Sequence, residues 1–331
     1  MIAVLVLWLI LILYGLRANK EVGDPLELKQ TISLRGICAI EIMIGHIGWI
    51  TGNEILYANR KAGLLFVGIF FMLSGYGIAY SIGHKEEYLK GFIGNRCLKL
   101  LLPAFLTYFL YEIVVIFLFH ENEWFVLFQP MKFVQMTNWY VWEQLGLYLV
   151  FWMLYKVIPR RTNFMLMVLS VIFIVIAYVL DINNPIYGST LCFVLGLYYY
   201  QYKDALEESF MEHSTYWLIV VGIILVGAIG CFVLLGNRSM IGNPIARNVA
   251  AISFSLLLII LLYKIKIGNS ISVFLGECSY EIFLVHPFVL AIFKRLNFSS
   301  LVLYSFACII ISIVFARVIH LTTAKIYQIR K

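Results

Sequence analysis

The stretch Thr31-Ile32-Ser33-Leu34-Arg35-Gly36-Ile37-Cys38-Ala39-Ile40-Glu41-Ile42-Met43-Ile44-Gly45-His46 is an apolar run interrupted by three ionisable residues, Arg35, Glu41 and His46. It continues apolar to about residue 50, roughly the 20 residues a helix needs to cross a bilayer. A charge at mid-bilayer costs about 2.5–3.5 kcal/mol on insertion scales, so each one needs a partner or a polar cavity. Arg35 and His46 are eleven residues apart. At the helical period that is about 1100°, only ~20° past three full turns, so both lie on one stripe ~16 Å apart along the axis. Glu41 points away from both. The segment reads as a membrane helix with a polar stripe turned toward protein.

The rest of the chain agrees. Of 331 residues, 62% are hydrophobic and 13% charged, and the mean hydropathy is +0.91. A soluble domain carries about 25% charged residues, so soluble, disordered and disulfide-stapled classes are excluded. Eleven apolar runs stand out, at about 1–16, 31–50, 62–82, 100–119, 139–155, 164–180, 187–202, 215–235, 248–263, 271–292 and 300–320. The fold class predicted is all-α: a polytopic transmembrane bundle of about eleven spans, forming one integral-membrane domain over 1–331. Six cysteines are scattered singly, without a CxxC, and no metal site is expected. The net charge of +7 sits in short clusters between apolar runs, which points to orientation signals rather than to nucleic acid.

The first run has no basic residue before it and no small-residue cleavage site after it, so it reads as a retained helix. Arg17 and Lys20 follow it, which predicts an outside N-terminus. On that scheme sixteen of the 25 Lys and Arg residues fall in inside segments and seven in outside segments, with Arg35 and Arg317 within spans. The C-terminus is then cytoplasmic. The inside loop 203–214 is acidic, but acidic residues count little in this rule. The Ile- and Lys-rich composition suggests a bacterial plasma membrane.

Other ionisable residues fall inside spans. The tenth run holds Glu277, Ser279, Tyr280, Glu281, His286 and Pro287. Read as one helix, it puts Glu277 and Glu281 on one face. His286 then points elsewhere, at a depth like that of His46. Two imidazoles at like depth can flank one substrate; a packing histidine before Pro287 is the alternative. The two glutamates read as counter-charges for helix arginines. Glu143 follows Trp139 and Trp142, an interfacial aromatic belt or, alternatively, an acceptor-stacking surface. Arg96 and Lys99 are three apart and on a helix face the same way. With Arg35 they form a cytoplasmic cation cluster able to hold phosphates; the plainer readings are a positive-inside loop and a snorkelling Arg35.

These fragments together resemble the membrane acyltransferase-3 family. Arg35 through His46 is similar to its Arg-x10-His signature, and Phe70-Phe71-Met72-Leu73-Ser74-Gly75-Tyr76 to its FFxLSG stretch. Arg96-Cys97-Leu98-Lys99 with Pro103 resembles RxxR…P, with Lys99 where a second arginine is usual. Ser279 to His286 resembles SYxxYLxH. The resemblance covers about 31–320 and leaves 1–16 as an extra N-terminal span. It implies transfer of an acyl group, usually acetyl from acetyl-CoA, to a hydroxyl of a surface glycan, lipid-linked sugar or small molecule. Some members carry a fused extracellular domain; this chain is too short for one, so chemistry is expected within the bundle.

The expectation is therefore that Arg35, Arg96 and Lys99 bind acyl-CoA, that His46 acts as general base or acyl-carrying nucleophile, and that His286 is the second catalytic residue, positioning the acceptor or stabilising developing charge. Glu143, Trp139 and Trp142 are the candidate acceptor contacts. Membrane lipids, acyl-CoA and the acceptor are the expected partners. The rival is a proton-coupled transporter or flippase, for which intramembrane Glu and His suit equally. Transporters often show inverted repeats and paired broken helices, and neither is visible in the sequence.

Overall fold

The computed structural model describes residues 2–19, 24–121, 123–182, 184–236, 239–296 and 300–329. Lys20, Arg238, Arg330 and Lys331, counted in the charge bias, lie outside them. The chain runs through α1 (Ile2–Tyr14), α2 (Leu28–Thr51), α3 (Glu54–His84), α4 (Phe92–Phe119), α5 (Pro130–Met136), α6 (Trp139–Val157) and α7 (Thr162–Val179). It continues through α8 (Leu191–Glu212), α9 (Ser214–Leu235), α10 (Ala246–Lys264), α11 (Ser270–Glu277), α12 (Ser279–Arg295) and α13 (Leu301–Ile329). Each of the eleven apolar runs is helical. Among the described residues, seven helical segments are long and apolar enough to cross a membrane, and the α11–α12 pair makes an eighth if counted as one span. The protein is an all-α membrane-spanning bundle, because a backbone in lipid must satisfy its own hydrogen bonds. α1, at 13 residues, is about 20 Å long, short of the ~30 Å hydrocarbon layer.

Several boundaries differ from the sequence reading. The segment 51–61, read as a loop, is mostly helix. Gly52 ends α2 with φ 67°, and the Asn53 side chain accepts from the Leu56 N–H at 3.2 Å to start α3, so Arg60 and Lys61 lie within α3. Arg96 and Lys99 likewise lie within α4, which begins after Gly91 at φ 71°. α8 continues through the acidic stretch to Glu212 instead of ending near 202.

The largest correction concerns the tenth run, which is broken. α11 and α12 meet at Cys278 with a bend of 75°. Ser279 Oγ donates to the Gly276 carbonyl at 2.9 Å, and Gly276 is pressed against the Ile32 backbone of α2, where no Cβ fits. Glu277 and Glu281 consequently do not share a face. Glu277 pairs with Arg317 at 2.8 Å, as a counter-charge to a helix arginine. Glu281 turns to His320 at 3.1 Å instead.

α2 is the centre of the bundle, packed against α3, α11, α12 and α13. α3 packs closely on α8: a Cβ on Gly75 would strike the Phe193 carbonyl, and one on Gly196 the Met72 carbonyl. Small residues are how membrane helices bring backbones together. At one end, here called basal, β1 (Arg17–Ala18) pairs antiparallel with β2 (Ile265–Lys266). Lys203 meets Asp24 there at 3.6 Å. At the opposite, distal end Arg295 pairs with Glu121, and Lys132 of α5 reaches the fully buried Glu112 at 3.0 Å.

Candidate active site

α2 and α12 bring His46 and His286 into direct contact. His46 Nδ1 and His286 Nε2 are 2.6 Å apart, with ring centroids 4.9 Å apart and ring planes 20° from parallel, so the two imidazoles meet edge to edge. The two are 240 residues apart in sequence. His286 is 0% exposed, whereas His46 keeps partial accessibility. His286 Nδ1 lies 2.9 Å from the Ile282 carbonyl. A carbonyl only accepts, so that nitrogen carries the proton. Pro287 reinforces this: lacking an N–H, it leaves the Phe283 carbonyl without its helical donor, and that carbonyl also faces the imidazole. Neutral His286 therefore offers the Nε2 lone pair, and His46 Nδ1–H donates to it. The lone pair of His46 is thereby placed on its Nε2.

Glu41 is not part of this pair. It faces α1, where Trp8 Nε1 donates to its Oε1 at 2.8 Å.

Basal to the imidazoles lies a second group of polar residues. Arg35 is half-buried, with Tyr140 and Glu281 as its electrostatic neighbours. Arg96 turns into an aromatic cage, 5.2 Å from the Tyr148 ring, 5.6 Å from Phe92 and 5.8 Å from Tyr88, and donates to the Tyr88 hydroxyl. Lys99, expected on the same face, is exposed. Tyr280 donates to the Leu100 carbonyl at 2.8 Å and Tyr327 to the Leu98 carbonyl at 3.3 Å, tying α12 and α13 to the first turns of α4.

Between the two arginines runs a hydrogen-bonded file that the sequence reading missed. Tyr140 donates to Gln144 Oε1 at 3.2 Å. Gln144 Nε2 donates to Ser74 Oγ at 3.2 Å, and Ser74 Oγ meets the Tyr148 hydroxyl at 2.7 Å. Tyr140, Gln144 and Tyr148 recur every four residues along α6, and that polar stripe in an apolar helix was a readable signal. Tyr140 packs on Phe283 at 5.2 Å, and Phe283 lies edge-on to His286 at 6.0 Å. The file thus leads toward the imidazole pair.

The three candidate acceptor contacts diverge. Glu143 Oε1 accepts from Thr190 Oγ1, the residue before α8, at 2.7 Å, and its Oε2 is buried with no hydrogen-bond partner among the described residues. Trp142 turns to α5, donating to the Val134 carbonyl at 3.3 Å. Trp139 packs edge-on to Tyr140 at 6.3 Å. Two clefts open at the basal end. One of about 540 Å³ is lined by Tyr155, Arg160, Asn163 and Gln201 among others, and one of about 460 Å³ by Phe92, Trp152 and Lys156 among others. Neither is lined by His46, His286 or Arg35.

A polytopic helical membrane protein with two interior imidazoles in contact, and arginines on one side of them, has the parts of a group-transfer site. The sequence profile of a family described as an acyltransferase domain, acyltransferase-3, matches residues 32–321. The chain belongs to that family and is a membrane acyltransferase. The match spans α2 to α13 and leaves α1 outside. Searches of curated proteins and of solved structures return no significant match.

Proposed function

We propose that this protein moves an acetyl group from acetyl-CoA to a hydroxyl of a cell-surface glycan, a lipid-linked sugar or a similar acceptor. In this reading it lies in a bacterial plasma membrane, N-terminus outside and C-terminus cytoplasmic, so the basal end faces the cytoplasm. The observation that carries it is the 2.6 Å contact between His46 and His286. His46 Nε2 takes the proton of the acceptor hydroxyl as its oxygen attacks the thioester carbonyl. The C–S bond breaks, and the CoA thiolate leaves with the proton from His46. His286 is a positioning residue: held by the Ile282 carbonyl, it sets the His46 tautomer and shares the positive charge that develops there. Arg96 supplies a cation on the donor side for the CoA phosphates, with exposed Lys99 near the entry, while Arg35, the electrostatic neighbour of Tyr140, faces the thioester end of the donor. Glu143, whose buried Oε2 has no partner among the described residues, is the residue we assign to hydroxyl recognition on the acceptor side.

The test is turnover of labelled acetyl-CoA by the purified protein in detergent with cell-envelope extract. His46→Ala should cut acetyl transfer about 10²- to 10⁴-fold, the range of a general base, with abundance in the membrane unchanged. Full activity in that variant would remove His46 from the chemistry. Labelled acyl-protein formed before acceptor is added would assign His46 as nucleophile rather than base. The rival transporter reading draws on the bend at Cys278, since broken helices build transport sites. Release of free CoA in step with acceptor labelling separates the two, because a transporter releases none.

A further inference from the structure

Resting on the donor chemistry just proposed, we infer that the file of Tyr140, Gln144, Tyr148 and Ser74 is the wall along which the pantetheine arm of the acyl-CoA lies, with Gln144 and Ser74 hydrogen-bonding its amides. The order of groups in the protein matches the order of groups in the ligand. Acyl-CoA carries phosphates at one end, then an uncharged arm with amides and a hydroxyl, then the thioester. Arg96 sits against Tyr148 at one end of the file. The file itself is uncharged over ~12 Å of α6. At its other end Tyr140 packs on Phe283, which borders His286.

The file also has spare hydrogen-bonding capacity. Gln144 Nε2 has two N–H groups and gives one to Ser74; Oε1 has two lone pairs and takes one bond from Tyr140. Gln144 is 1% exposed, but Ser74 keeps partial accessibility, so the file is approachable from the Ser74 side. Holding α3 to α6 does not require these groups. Apolar side chains would pack that interface without the cost of burying an amide and three hydroxyls. A ligand that carries amides past them gives the polar groups a use.

The experiment compares three donors on the purified full-length protein: acetyl-CoA, S-acetyl-pantetheine, which lacks the phosphates and nucleotide, and S-acetyl-N-acetylcysteamine, which lacks most of the arm. Gln144→Leu should raise KM about five- to tenfold for acetyl-CoA and for S-acetyl-pantetheine, the loss of one or two neutral hydrogen bonds, and much less for the shortest donor. Tyr148→Phe keeps the ring over Arg96 and should shift KM in the same donor-dependent way, which guards against a folding defect in the first variant. Arg96→Gln should affect acetyl-CoA alone. Equal KM changes across all three donors, or a loss of thermal stability with KM unchanged, would overturn the inference and make the file structural. Wild-type protein that consumes none of the three donors would instead overturn the proposed function, before any variant is compared.

Discussion

α2 and α9 are both membrane helices, yet they are opposites. Of the seven long apolar segments α2 is the least hydropathic and the most enclosed, with 72% of its apolar window buried. α9 is the most hydropathic and only 11% buried. α2 carries Arg35, Glu41 and His46, while α9 from Tyr216 to Leu235 carries no ionisable side chain other than Tyr216 and Cys231. The contrast reverses the habit of soluble proteins. Lipid accepts apolar surface at no cost, so helices at the rim are free to be uniformly apolar. The interior collects the side chains that lipid would reject, and the small residues that let backbones meet.

The difference is open to direct attack. Gly196 and Gly227 are glycines in an enclosed helix and a rim helix. A Cβ on Gly196 would meet the Met72 carbonyl, while nothing lies within 4 Å of one on Gly227. Gly196→Val is expected to cost about 3 kcal/mol or more by forcing α3 and α8 apart, and Gly227→Val to stay within about 0.5 kcal/mol of wild type. Thermal unfolding of the two proteins in one detergent reads this, and equal shifts would mean the enclosed and rim helices are not distinct in packing.

Glu112 sharpens the contrast from an intermediate helix, α4. Its side chain is fully enclosed and answered by Lys132 across 3.0 Å. Lys132→Met should cost on the order of 3 kcal/mol by leaving a buried carboxylate without this cation. Glu112→Gln in the same chain should recover most of that loss. A double variant as unstable as the single one would show that the pairing is not what holds this contact.

The smallest effect belongs to α1. Trp8→Phe keeps the ring contact and removes the 2.8 Å bond to Glu41, for about 1 kcal/mol. Acetyl transfer should be unchanged, since Glu41 faces away from the imidazoles. A change in turnover without a change in stability would bring α1 into the site.

Much of this was readable in advance, residue by residue. Arg35 and His46 on one stripe of α2 followed from the helical period alone. That His286 lies at the depth of His46 followed from counting along the tenth run, although the run was treated as straight. The break at Cys278 left no sequence mark of the usual kind: Pro287, the residue expected to disturb a helix, lies inside α12, while the bend occurs where Gly276 is pinned against α2. Lys99 was placed with Arg96 by spacing, but the aromatic cage of Tyr88, Phe92 and Tyr148 draws Arg96 inward and leaves Lys99 outside. Trp139, Trp142 and Glu143 are close in sequence, yet Trp139 packs on Tyr140 of its own helix, Trp142 turns to α5 and Glu143 to Thr190 beside α8, a divergence that packing decides.

What the chain determines by itself is the class of molecule and the address of each polar group. Apolar runs long enough for a bilayer compel helices, and the expense of a charge in lipid compels Arg35, His46, Glu281 and His286 to face protein. Which of them touch is decided only by packing. The contact of His46 with His286, and the file from Arg96 to Tyr140, join residues on different helices, and no local pattern encodes the crossing of one helix over another. Glycine contacts at Gly36 and Gly276 set how closely α2 meets α11, the helix that leads into α12, and that approach helps bring two distant imidazoles together as one hydrogen-bonded pair.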